Sequence, residues 1–548
     1  MYISDVIQTD IQNWKAGDIV IIDAPTGAGK TTAVLQDVRC EAVRRGKEVL
    51  LISNRRLLKK QLQRILGDEI NWPEDDDRLY AVRRFSGITV VSYQEIQAKV
   101  KMGQRIVLND YSHVVFDEFH YLLADAMFQP EIYFFLKWLE RCAALRNKVL
   151  MLISATPDET WQFLKNSCKL FGRCTEQEVL VENDFLKVTY LCELDAVWYE
   201  QRTPRKCWHY RISQDFANIN PVFYREEQSL VDYILRDEST SKWLIFISQK
   251  KSGQRMYERL VEELGADEVL FLSAESLEQE ATVVEEIVAK QQFSQKVLIT
   301  TKVLENGVSL NDDKLRNVVI STVWHDEFIQ MLGRKRRKSG EKVMLYLPAK
   351  SLNAFIGIKN KLLLPLYQNV KVIPTERVDR ILGDEEYFWF ARRFCVFDRA
   401  NGFYRINPAG KYVLKKKMDF VDEILKQFRA GDEKAFVKMQ LHWLKKTHDN
   451  CLYVVLDEQI QREKIKNLTD YLETLAGKKL DKEGQVLLRQ KIAECETASV
   501  CKGKKLPGLN LVNRFLEMET NYFVQSDYSK KPTVWIIKER KDEQSIRD

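Results

Sequence analysis

The sequence predicts an α/β protein: two tandem parallel-sheet domains, then a mostly helical region. Three observations predict it. Short apolar runs rich in Val, Ile and Leu recur through the first 350 residues. Amphipathic stretches of helical length separate them, the alternation of parallel sheets covered on both faces. Beyond residue 350 the runs give way to long amphipathic segments.

The runs fall into two sets. Ile19–Asp23, Val49–Ile52, Thr89–Val91, Val114–Phe116 and Val149–Ile153 mark a first domain over 1–175. Leu244–Ile247, Val269–Leu272, Val297–Ile299, Asn317–Ile320 and Val343–Leu347 mark a second over 229–350. Residues 176–228, polar, aromatic-rich and carrying Pro204 and Pro221, read as a connector with some strand of its own. Residues 351–548 form the accessory region. There Asp419–Leu444 and Leu452–Leu475 have helical periodicity. At 505–541 a helix, Leu509–Leu516, precedes two aromatic strand candidates, Asn521–Gln525 and Thr533–Lys538, compatible with a winged-helix-like end.

Composition narrows the class. At 548 residues, 45% hydrophobic and 30% charged, the chain is long enough for several cores and has the make-up of a soluble globular protein. No apolar run approaches the roughly 18 residues of a membrane span, and Met1–Asp5 lacks the pattern of a signal peptide. The 10 cysteines include no Cys-x-x-Cys pair, so reduced structural thiols and a cytoplasmic location are expected, without a zinc site. Charge is uneven. Residues 351–548 hold 37 Lys and Arg against 28 Asp and Glu, a basic excess that fits either a polyanion partner or a solvated surface.

Chemistry concentrates at strand ends. After Ile19–Asp23 comes Ala24-Pro25-Thr26-Gly27-Ala28-Gly29-Lys30-Thr31-Thr32, and then a helical segment from Ala33. Strand, glycine turn and helix are the setting of a phosphate-binding loop. Backbone N–H groups and a helix N-terminus face phosphate, Lys30 reaches the β- and γ-phosphates, and the Thr31 hydroxyl ligates Mg²⁺. Ala24 stands where the commonest pattern has its first glycine. The second anchor is Asp117-Glu118 at the end of Val114–Phe116, with His120 beyond. There Asp117 can hold the Mg²⁺ and Glu118 can deprotonate a water. The ligands expected are ATP and Mg²⁺.

At this point the chain resembles superfamily 2 helicases of the DExH type, over roughly residues 15–350. Further segments match the family's motifs in order: Asn54-Arg55 within Ser53–Leu57 (motif Ia), Ser92-Tyr93 (Ib), Ser154-Ala155-Thr156 (III), Ser248-Gln249-Lys250 (IV), Thr300-Thr301-Lys302 through Gly307 to Leu310 (V), and Gln330–Arg337 (VI). The resemblance implies two RecA-like domains that close on ATP. It makes Arg334 and Arg337 the arginine-finger candidates and Gln330 a further catalytic residue, with Gly307 contacting nucleotide. It has His120, Ser154 and Thr156 coupling hydrolysis to domain movement, and Asn54, Arg55, Ser92, Tyr93, Ser248 and Thr300 contacting nucleic acid. Three positions in motifs V and VI depart from the pattern. Met331 stands where the family has arginine, Ser309 where it usually has an acid, and Arg336 where it has glycine. Gln8 and Gln12 before the loop, and the aromatic cluster Tyr387–Phe390 with Arg392-Arg393, are weaker adenine and base-stacking candidates.

The expected function is therefore nucleic-acid-dependent ATP hydrolysis driving translocation or unwinding, DNA being favoured over RNA as the track. The alternative is a non-processive ATP switch in a defence, repair or mobile-element complex, with protein partners docking on 351–548. No membrane partner is expected.

Overall fold

The computed structural model describes residues 2–53, 56–70, 79, 81–144, 146–167, 174–182, 185–192, 205–276, 280–304, 308–338, 340–372, 393–399, 402–447, 454–495, 506–527 and 534–540. They fall into two compact units, Met1–Pro221 with Glu238–Cys451, and Val222–Asp237 with Leu452–Asp548.

In the larger unit the first sheet has nine strands: β1 (Ile19–Asp23), β2 (Glu48–Ser53), β3 (Arg84–Phe85), β4 (Ile88–Ser92), β5 (Tyr111–Asp117), β6 (Val149–Ser154), β7 (Cys174–Glu182), β8 (Phe185–Cys192) and β9 (Arg205–Ile212). They lie in the order β3-β4-β2-β5-β6-β1-β9-β8-β7. The central strands are parallel, and successive residues serve opposite faces. Ile19, Ile21, Val114, Phe116, Leu150 and Leu152 enter one core, whereas Val20, Ile22, Val115, Met151 and Ile153 enter the other. Both faces are apolar because both are covered. The register aligns Asp23 with Ser154 and Asp117 with Ile153, so β1, β5 and β6 end together. Where the sequence suggested a connector, β7, β8 and β9 extend this sheet by antiparallel pairing, and β9 runs parallel beside β1.

A strand β10 (Ile219–Tyr224) spans the boundary of the units. The second sheet of the larger unit contains β11 (Lys242–Phe246), β12 (Val269–Leu272), β13 (Val297–Thr300), β14 (Leu315–Ile320) and β15 (Val343–Pro348), ordered β12-β13-β11-β14-β15 and parallel throughout. The two α/β domains and the helical region beyond them are those the sequence predicts.

Part of the accessory region belongs to this unit. A hairpin, β16 (Cys395–Asp398) and β17 (Phe403–Ile406), precedes the helix Pro408–Arg429. Asn407 caps that helix, accepting from the Ala409 N–H at 3.1 Å, and Pro408 occupies its first turn. The Asn407 amide also donates to the Ala126 carbonyl, and Lys137 pairs with Asp398 at 2.6 Å. Ala409 is part of the first domain's core. The periodicity expected over Asp419–Leu444 is two helices, Pro408–Arg429 and Ala435–Trp443. The break comes at Gly431, which takes φ +93°, a value side-chain-bearing residues rarely adopt.

The smaller unit pairs Val222 and Phe223 of β10 with β18 (Val454–Val455). The helix Leu456–Leu475, β19 (Lys479–Leu480), the helices Lys482–Cys495 and Leu509–Glu519, β20 (Tyr522–Asp527) and β21 (Val534–Glu539) follow. The order is helix, strand, two helices and two strands, and the sheet runs β19-β21-β20. Leu468, Leu472, Ile492, Val512, Phe515, Leu516 and Trp535 fill its core. This core joins Leu468 and Leu472 to the helix and strands expected at 505–541.

Candidate active site

The turn after β1 is shaped by its glycines. Gly27 and Gly29 take φ of +95° and +76°, and Lys30 opens the helix. Ala24 has no such φ. Its N–H donates to the Ser154 carbonyl at 3.1 Å and its methyl is buried, so alanine is tolerated where the pattern has glycine. Just past Ala33 the helix passes through a π-turn, Val34–Val38, a local irregularity common at functional sites. The N-terminal helix Ile3–Ile7 braces the loop, the Ile3 N–H donating to the Ala28 carbonyl at 2.9 Å.

A cavity of about 380 Å³ opens here. The first domain lines it with Thr26, Gly27, Gly29, Lys30, Thr31, Thr32, Asp117 and Glu118, and the second with Ser309, Arg334 and Arg336. Lys30 donates to the Ala24 and Pro25 carbonyls at 2.7 and 3.1 Å. Burial lowers its affinity for a proton, and Glu118 and Asp117 oppose that. The two carboxyls form a tightly coupled pair. Burial, then the Glu118 charge, pushes the Asp117 carboxyl up. Burial pushes Glu118 up as well, but the His120 hydrogen bond, Lys30 and Arg334 outweigh it and hold Glu118 below the usual carboxylate range. Glu118 is therefore the ionised member, the state that a general base would need. It takes φ +50°, which turns its carboxylate out of the line of β5.

From Glu118 a chain of contacts crosses between the domains. His120 Nδ1 lies 3.2 Å from Glu118 Oε2 and 3.0 Å from Ser154 Oγ. Ser154 Oγ accepts from the Thr156 N–H at 2.9 Å, and Gln330 Nε2 donates to Thr156 Oγ1 at 3.3 Å. Arg334 Nη2 donates to Gln330 Oε1 at 3.1 Å. Thr26 Oγ1 also donates to the Gly333 carbonyl at 3.0 Å.

Arg337 does not join this cavity. Its guanidinium stands 5.8 Å from the Phe216 ring. The reason is backbone alternation. After Gly333 the chain runs beside Leu310, with Leu310 N donating to Arg334 O and Arg336 N to Leu310 O, and Lys335 bridges Leu310. Alternate side chains of an extended segment point opposite ways. Arg334 and Arg336 face the phosphate loop, whereas Lys335 turns to Glu341 and Arg337 to Phe216. The sequence reading missed Arg336. Its signal was the paired departure at Ser309 and Arg336, two side chains that touch: Arg336 Nη2 donates to Ser309 Oγ at 2.8 Å.

The nucleic-acid candidates scatter. Ser92 caps the helix Tyr93–Lys101, accepting from the Glu95 N–H at 3.1 Å. Tyr93 is fully buried among Tyr121 and Phe135, its hydroxyl donating to the Asp117 carbonyl. Thr300 is also fully buried. These two side chains support the core and meet no strand at a surface. Ser248 is exposed, donating to the Ser321 carbonyl at 2.6 Å. Gln8 and Gln12 are exposed. Asn54, Arg55, Gly307, Tyr387–Phe390 and Arg392 lie outside the described residues.

A glycine loop opening a helix, an acid pair at a neighbouring strand end and arginines from a second parallel sheet make this a site of the P-loop type. Residues 6–164 match the family model of the DEAD/DEAH box helicase, which bears out over that span the likeness to superfamily 2 helicases. No curated protein matches the chain in sequence. Among solved structures, it is similar to S. cerevisiae Dbp5 bound to RNA and ADP BeF3, at 15% identity and TM-score 0.40, over 60% of this chain and 78% of that one. It is similar to Mycobacterium smegmatis helicase Lhr bound to ssDNA and AMP-PNP, at 15% identity and TM-score 0.41, over 74% and 58%. DEAD-box helicase Mss116 bound to ssRNA and UDP-BeF matches at 15% identity and TM-score 0.44, over 64% and 71%. Among the described residues no helix is long and apolar enough to cross a membrane.

Proposed function

We propose that the chain hydrolyses ATP in response to a nucleic-acid strand and uses the cycle as a helicase or translocase. The observation that carries this reading is the unbroken run of contacts from Glu118 through His120, Ser154, Thr156 and Gln330 to Arg334. It ties the base of one domain to an arginine of the other, as a motor needs if hydrolysis is to change how its domains meet.

The loop N–H groups and Lys30 receive the phosphates. Thr31 and Asp117 share the cavity and offer the hard oxygen ligands that Mg²⁺ prefers, so they fit that ion and would hold it. When bound, it neutralises charge on the β- and γ-phosphate oxygens. Glu118 takes a proton from water. The water oxygen bonds to the γ-phosphorus as the bond to the bridging oxygen breaks, and that electron pair leaves on ADP.

The test is ATPase activity with matched single-stranded DNA and RNA, followed by opening of a tailed duplex. Stimulation with strand opening is the expected result, DNA being the stronger activator. Stimulation without opening favours the switch reading. No response to either strand would overturn both.

A further inference from the structure

We propose that Arg336, and not Arg337, is the residue that braces the γ-phosphoryl group, with Ser309 as the hydroxyl that aims it. The inference rests on the ATPase reading above and deepens it.

Three observations carry it. First, Arg336 stands against the phosphate loop itself: a Cβ on Gly27 would lie 2.6 Å from Arg336 Nη1. Arg336 thus lines the cavity shared by Lys30, Asp117 and Glu118. Second, its two ends differ. Nη2 is held by Ser309 Oγ at 2.8 Å, while Nη1 is buried and has no hydrogen-bond partner among the described residues. A buried N–H without an acceptor is costly, and a phosphoryl oxygen would satisfy it. Third, Arg337 is spoken for elsewhere, on the opposite side of the same extended segment, over Phe216.

The pairing explains the departures at Ser309 and Arg336 together. An acid at 309 would hold Arg336 in an ion pair and quench the charge needed at phosphate. A serine orients the fork and leaves its charge available. Charge bookkeeping agrees. The third carboxylate of the lining, Glu69, is paired with Arg39 at 2.6 Å, so Lys30, Arg334 and Arg336 face Asp117 and Glu118 with a positive excess suited to a polyphosphate. Burial works against the Arg336 charge and Glu118 supports it. As the γ-phosphorus passes from the bridging oxygen to the water oxygen, negative charge spreads over its oxygens, and a fork fixed at one end meets it without reorganising.

The experiment compares Arg336→Ala, Arg336→Gln and Arg337→Ala with Lys30→Ala and Glu118→Gln, in the full chain. It reads kcat for ATP with a stimulating strand, and affinity for ADP with and without beryllium fluoride. Both Arg336 variants should lose roughly 10³-fold or more in kcat and lose the gain in affinity that beryllium fluoride confers, while ADP alone still binds. Ser309→Ala should give a smaller loss of the same kind. Arg337→Ala should keep kcat and the beryllium fluoride gain near wild type. Collapse of Arg337→Ala with Arg336→Gln near wild type would overturn the assignment. Because Gln keeps the length of the side chain without its charge, it decides the matter if the alanine variant does not fold. Hydrolysis surviving in Lys30→Ala and Glu118→Gln would instead overturn the ATPase reading itself.

Discussion

Glu118 is held in a left-handed backbone conformation, φ +50°, at a cost of about 1–3 kcal/mol for a non-glycine residue. Packing around it repays that: Phe119 N donates to the Ile153 carbonyl at 3.1 Å, and Tyr93 holds the Asp117 carbonyl. The strain aims the carboxylate at the cavity and at His120. Glu118→Gln keeps the shape and removes the base, so hydrolysis should fall by at least about 10²-fold while ATP still binds. Retained turnover in a rapid-quench assay would reassign the base. Gln330 is the other pivotal residue. Its amide joins Thr156 to Arg334 and is almost fully buried. Gln330→Ala leaves both partners short of a buried hydrogen bond, worth about 1–3 kcal/mol. Strand-stimulated kcat should drop roughly tenfold to a hundredfold, with ADP affinity little changed. An equal loss in basal and stimulated rates would mean that Gln330 supports the fold and not the coupling.

Among elements, β5 and β9 carry buried histidines that make the first sheet sensitive to acid. His113 has no exposed surface, and burial holds it down to about 3. His209 is held down to about 4, again by burial. A folded-state value below the unfolded one means that stability is full above about 6.5 and is lost as pH falls towards the folded value. At pH 5 each histidine that stays neutral costs about 2 kcal/mol of stability relative to pH 7. His113→Leu should therefore flatten the decline in urea midpoint between pH 7 and 5. An unchanged slope would place the acid sensitivity elsewhere. The strands β1, β2, β4, β5 and β6 were legible in the sequence because burial on both faces makes them apolar without interruption. β7 was not. It is a sheet edge, mixing Glu176, Glu178 and Glu182 with the exposed Val179, Leu180 and Val181, so neither a continuous nor an alternating pattern appears. β19 has two residues, too few for any periodicity. The phosphate loop and acid pair were legible because their chemistry depends on local spacing. Arg336 was not, since the face an extended segment presents is set by its pairing with Leu310, over twenty residues away in sequence.

For the whole molecule, the larger unit builds the candidate nucleotide site from two sheets, and residues 393–447 buttress it. That buttress makes removal of 380–548 destructive. It would uncover core around Ala409 and strip Asp398 from Lys137, so the truncated chain should aggregate; a soluble, monodisperse product would show the buttress to be dispensable. The meeting of the two α/β domains carries its own pH dependence. Glu159 follows Ser154–Thr156 on the first domain and faces Asp326, at the start of the helix His325–Leu332 of the second. Burial, then the Asp326 charge and hydrogen bond, pushes the Glu159 carboxyl up to about 7, with Lys416 and His325 opposing. Between the usual carboxylate range and about 7, the docked domains hold a proton that parted domains release. Raising the pH through that window removes the shared proton, leaves two carboxylates in repulsion and weakens docking. Glu159→Gln supplies a permanent neutral donor to Asp326. If the analogue binds the docked arrangement as the proposed cycle requires, affinity for ADP with beryllium fluoride should fall between pH 6 and 8 in the natural protein by more than in Glu159→Gln. The variant should bind more tightly at pH 8 and about equally at pH 6. Parallel pH profiles for the two proteins would show that this carboxyl pair does not report on closure.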